Sequence, residues 1–167
     1  MKQYILLALA GITGLLCFRG PAETGPETNS MRQIVRLSEH AMALYLRGKL
    51  DGAKVNFTAV RMELSQSVGP RDPATLSSRS NYAAVLFAMG DYAGAEAVHR
   101  ETIKLRDQVF GRLHMDAVAS RHNLAVTLMC EGKYEEALRN ERCVESVRRH
   151  LLGKMIRSLG RRGGCEC

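Results

Sequence analysis

The 167-residue sequence predicts an all-α fold, a solenoid of stacked helical hairpins, and three observations carry that prediction. The chain repeats itself with a step of 42 residues: Gly48, Gly90 and Gly132 are equally spaced, and so are Ala41, Ala83 and Ala125. Within each step the apolar residues recur at helical spacing. Finally, no Trp, only four Pro and eight Met among many Ala and Leu favour helix over a strand sandwich. With 46% hydrophobic and 25% charged residues, a chain this long buries a core without a metal or disulfide staple.

Taken in order, residues 1–22 come first. Lys2 precedes an uncharged run from Tyr4 to Phe18, a length that fits the apolar region of a secretory signal and falls short of a comfortable span. This segment is expected to be a signal peptide or a hydrophobic anchor. The chain would then be secreted, periplasmic or membrane-attached through residues 4–18, and cytoplasmic otherwise. Residues 23–30 read as a linker from their Pro, Gly, Thr and Ser content.

The array is expected over 31–153, in three copies at 26–67, 68–109 and 110–151. The second and third copies share 11 identities without a gap, among them SRSNYAAVL against SRHNLAVTL and GDYAGA against GKYEEA. The first is more degenerate and keeps Ala41, Leu44, Gly48 and Ala53. Each copy reads as two helices. In the second, 75–89 carries Tyr82, Val85, Leu86 and Met89 on one face, and Gly90 stands where the chain must leave that helix. Tyr92, Ala95 and Val98 begin a second helix that runs to about Val109. Asp72-Pro73 punctuates the entry, with Asp72 or Thr75 available as a cap. Ala83 and Ala95 are small, so two helix backbones can approach closely there. After Gly153 no helix is expected, and 154–167 reads as a flexible basic tail.

The formal charge of +7 resides at the ends. Between residues 20 and 145, sixteen basic residues meet sixteen acidic ones, so the body has no net field for phosphates and nucleic acid is not an expected partner. Five cysteines are an odd count without zinc-type spacing. Cys130 and Cys143 stand too far apart along two neighbouring helices to bridge, and both read as small buried hydrophobes. Cys165 and Cys167 receive no role. There is no metalloprotease helix motif, phosphate-binding Gly-rich loop or nucleophile elbow, so neither catalysis nor a cofactor or metal is expected. His40, His99, His114, His122 and His150 read as solvated or capping residues.

The pattern of small residue, Leu, Gly-x-Tyr and Ala resembles the tetratricopeptide repeat. It is carried by Ala83, Leu86, Gly90, Tyr92 and Ala95, and again by Ala125, Leu128, Gly132, Tyr134 and Ala137. The 42-residue step is similar to the kinesin light chain type, whose boundary motif appears as VGPRDPATL and FGRLHMDAV, with Asp72 replacing His in one and Met115 replacing Pro in the other. The resemblance implies a right-handed superhelix whose first helices line a concave groove, and a non-catalytic adaptor that binds a peptide or partner protein there. It places Asn81 and Asn123 in the groove, where an amide offers both donors and acceptors to an extended backbone. Glu39 holds that position in the first copy. Arg79 and Arg121 are candidates for a ligand carboxylate, and His122 for a flanking polar contact. For Arg100 and Arg142 an ion pair between repeats is expected, and Tyr45, Phe87 and Met129 form either a shelf for ligand side chains or packing. The alternative is an assembly role, in which the uncapped carboxy-terminal repeat stacks on another copy or a partner.

Overall fold

A computed structural model describes residues 29–162, with side chains from Ser30 to Ile156. Among the described residues six helices follow one another: α1 (Asn29–Leu46), α2 (Leu50–Ser67), α3 (Pro73–Ala88), α4 (Tyr92–Phe110), α5 (Met115–Cys130) and α6 (Tyr134–Arg162). There is no strand among the described residues. Each helix packs on its neighbours in the chain, so the molecule is a stack of hairpins, an all-α repeat solenoid. The segment 1–22, most of the linker, Cys17, Cys165 and Cys167 lie outside the described residues. The linker reading is shortened at its end, because α1 already begins at Asn29.

The three hairpin turns are copies of one another. Gly90 adopts φ +82°, its N–H donates to Phe87 O at 3.0 Å, and the Asp91 N–H donates to Leu86 O at 3.0 Å. Gly48 and Gly132 repeat the pattern at φ +72° and +77°. This left-handed backbone satisfies carbonyls left over at the end of α1, α3 and α5, and only glycine adopts it without Cβ strain. Behind each turn the paired alanines meet in the core. Ala41, Ala53, Ala83, Ala95 and Ala125 are fully buried and Ala137 nearly so. Around them pack Phe57 and Val85 in the first half of the stack, and Leu124 and Leu128 with Ile103 in the second.

The entry to each later hairpin is capped by a side chain at the same phase. Asp72 Oδ1 accepts the Ala74 N–H at 2.8 Å, and His114 Nδ1 accepts the Asp116 N–H at 3.2 Å. Aspartate and a neutral imidazole both supply an acceptor to the first orphan donors of a helix, so the exchange between copies preserves the cap. Thr75 is no cap; its hydroxyl donates to Gly69 O at 2.8 Å from a buried position.

The end of the stack departs from expectation. Gly69 and Gly111 close α2 and α4 at φ +99° and +85°, whereas Gly153, at the same phase, stays inside α6. Pro70 and Pro73 follow Gly69, while Lys154-Met155-Ile156 follows Gly153 and favours helix. The expected tail therefore begins as helix and remains so to Arg162.

Candidate peptide-binding site

On α3, residues Ser77, Asn81, Ala84 and Ala88 recur at helical spacing, and Ala119, Asn123, Val126 and Cys130 do the same on α5. Asn81 is 6% exposed and Asn123 is half-buried. Neither side-chain amide has a hydrogen-bond partner among the described residues, and neither is counted with the sealed, unpaired polar atoms. An amide that the fold leaves unused has its donors and acceptor available to a ligand that reaches it. Sequence reasoning found the two Asn but missed their surroundings. The signal was the smallness of residues 77, 84, 88 and 119 on the same helix faces. Glu39, at the same phase in α1, is exposed.

The two arginines each pair with a carboxylate of α4. Arg79 is paired with Glu101 of α4, and its side chain is only 12% exposed. Arg121 is more deeply buried and paired with Asp107, also on α4. Both guanidiniums thus form ion pairs with α4, Arg79 with the exposed Glu101 and Arg121 with the half-buried Asp107. His122 is also engaged: its Nδ1 lies 2.6 Å from Glu141 Oε1 of α6, with the ring nitrogen donating because a carboxylate only accepts. These three residues hold the face that carries Asn81 and Asn123 against α4 and α6.

Several polar groups between the hairpins were not foreseen. Arg106 on α4 is buried and donates through Nη1 to Asp116 O at 3.0 Å and Ser120 Oγ at 2.5 Å, and through Nη2 to Leu76 O at 3.4 Å. One side chain so joins α3, α4 and α5. Desolvation lowers its pKa against the pull of Asp116. His99, two turns earlier on α4, is 3% exposed, and burial together with Arg106 holds its imidazole down at about 4. Arg61 lies over the Tyr82 ring at 4.7 Å and links α2 to α3.

On the second helices, Arg100 bonds Glu96 at 2.7 Å and reaches Glu136 of the next repeat at 2.6 Å, as expected of it. Lys133 donates to the same Glu96 at 2.6 Å. Lys133 chiefly, with Arg100, brings the Glu96 carboxyl to about 2 despite some desolvation. Arg142 is exposed. Tyr45 packs on the core and the Phe87 ring sits 5.3 Å from that of Tyr92, so these two pack, while Met129 is exposed. Cys143 is half-buried, but Cys130 is exposed rather than buried because it stands at the very end of α5, and both are free thiols. Among the described residues no group of three or more His, Cys, Asp or Glu is placed to hold a metal ion. No described helix is long and apolar enough to cross a membrane.

Hairpins of constant step, closed by one glycine turn and packed through paired alanines, define an α-hairpin repeat protein, a class that works through its surfaces. A family model of the tetratricopeptide repeat matches residues 72–150, so this stretch of the chain carries tetratricopeptide repeats. The match takes in α3 to α5 and most of α6, while α1 and α2 join the array by their geometry. No curated protein matches the chain. Tetratricopeptide repeats are in general protein–protein interaction modules, and typically non-catalytic.

Proposed function

We propose that this protein is a non-catalytic adaptor that binds an extended peptide segment of a partner protein across the first helices of its hairpins, with Asn81 and Asn123 as backbone clamps. The observation that carries the reading is the pair of unpartnered amides one repeat apart, each set among small residues. Asn-to-backbone hydrogen bonds give affinity that does not depend on the ligand's side chains. Arg79, Arg121 and His122 are left out of the ligand contacts, since each already has a carboxylate partner. The finer likeness to kinesin light chains belongs to the same proposal. It is supported by Asp72 and His114, which fill one capping role at the boundary motif.

The test is a peptide selected from a random display library against the full chain, then titrated onto wild type and the double variant Asn81→Ala/Asn123→Ala. We expect at least a tenfold loss of affinity, as for two lost hydrogen bonds of about 1 kcal/mol each, with an unchanged melting temperature. Equal affinity in the variant would refute the clamp.

The assembly reading draws on Tyr134 and Leu138, which are exposed on α6. Against it, α6 offers Glu145, paired with Arg149 at 2.7 Å, where α4 presents Ile103 to the following hairpin. A charged pair at that phase gives no apolar seat to another repeat, so the adaptor reading is preferred.

A further inference from the structure

The carboxy-terminal overhang of α6 carries a second surface, independent of the Asn-lined face. Core contacts of α6 run through Val144 and Val147, packed with Val118, and finish at Leu151. The helix then continues to Arg162, eleven residues or roughly 16 Å at 1.5 Å per residue. On this overhang Leu152 is 53% exposed, Met155 53% and Ile156 59%. These three stand at i, i+3 and i+4, on one helix face. Around that pattern the charge has one sign: from Ser146 to Arg162 there are six basic residues and no acidic one. Arg148 and Lys154 are exposed, and Arg149 is tied to the carboxylate of Glu145.

We propose that this overhang is an interfacial helix that lies on anionic lipid, with Leu152 and Ile156 entering the acyl boundary and the flanking Arg and Lys meeting the headgroups. Its length, apolar stripe and excess of Lys and Arg are those of helices that lie in the plane of a membrane surface. A second copy is a poor occupant, because it would bring an equally basic strip against this one. An acidic protein partner is less well matched too. Protein interface cores are rich in aromatic residues and depleted of Lys, whereas this stripe has no aromatic residue and Lys154 beside it. No described helix, α6 included, is long and apolar enough to cross a membrane.

The chain has no Trp, so Ile156→Trp places a lone fluorophore in the stripe while keeping it apolar. The full-length variant is titrated with phosphatidylglycerol vesicles and with phosphatidylcholine vesicles. We expect a blue shift of the emission with the anionic vesicles only, a several-fold weakening at 0.5 M salt, and at least a tenfold loss of vesicle affinity when Leu152→Glu is added. Leu152 lies beyond the core contacts, so an unchanged helical circular dichroism signal should accompany that loss. No shift with anionic vesicles would overturn the proposal, even if the chain sediments with them through residues 4–18. A blue, vesicle-insensitive emission would show the stripe covered by the chain's own residues, and a lipid-free shift that grows with protein concentration would show a second copy. A shift with polyglutamate but not with vesicles would assign the surface to an acidic protein. Each of those three results also contradicts it.

Discussion

His99 is the residue whose chemistry most directly links packing to solution behaviour. Its folded-state pKa of about 4 lies below the ordinary 6.5, so the native core holds the neutral ring and refuses a proton that the unfolded chain accepts. Stability is therefore insensitive to this group above pH 6.5, falls as pH drops from 6.5 toward 4, and levels off below. Glu96, lowered from 4.5 to about 2, adds a second loss between those values, where its pairs with Lys133 and Arg100 are protonated away. Urea midpoints taken from pH 8 to pH 3 should show both limbs. His99→Phe, which copies the buried Phe57 of the first repeat, should remove the upper limb alone. Arg106 has a different signature. Arg106→Ala leaves Leu76 O, Asp116 O and Ser120 without their donor and should cost about 2–4 kcal/mol by denaturant unfolding. Arg106→Leu, matching the buried Leu64 of the first repeat, should cost clearly less. None of this was legible in the sequence. His99 reads as any other solvated histidine until burial is known. The repeated arginines are harder still: Arg79 pairs within its own hairpin, whereas Arg121 pairs back to the preceding one. Their carboxylates, Glu101 and Asp107, stand at unrelated phases, so the repeat does not predict the pairing.

Among the elements, the glycine turns and α6 make opposite statements about one repeat position. Gly111 closes α4 at φ +85° with open space where a Cβ would stand, so Gly111→Ala should destabilise through backbone strain alone, by about 1 kcal/mol. Gly153 sits inside a helix, so Gly153→Ala should stabilise by about 1 kcal/mol or raise the helical signal. Thermal melts of the two variants, expected to move in opposite directions, check the observed end of the stack. The step of 42 residues made the hairpin turns, the alanine pairs and the Asp72 cap readable, because each is a local rule obeyed at every copy. It misled at Gly153 because a glycine ends a helix only when the chain beyond it turns away. After Gly69 two prolines enforce that, and after Gly111 the His114 cap starts the next helix; after Gly153 neither is present.

At the scale of the whole molecule, the hairpins bury their apolar sides against one another, and the faces of α3 and α5 that carry Asn81 and Asn123 are those of the proposed binding site. Ion pairs on both sides of that face, Arg121 with Asp107 and His122 with Glu141, fix α5 against α4 and α6. The two amides are thus held on rigid helices one repeat apart, a preorganisation that reduces the ordering cost of binding. Sequence alone located Asn81 and Asn123 through family resemblance. It did not reveal that their amides are idle, since a hydrogen-bond census requires the packed neighbours. The most direct measurement is therefore a 15N NMR titration that follows the side-chain NH2 resonances of Asn81 and Asn123 as a library-selected peptide is added. The account predicts that both amides shift, saturate at one peptide per chain and do so with the same affinity. Peptide binding that leaves both resonances in place would contradict it.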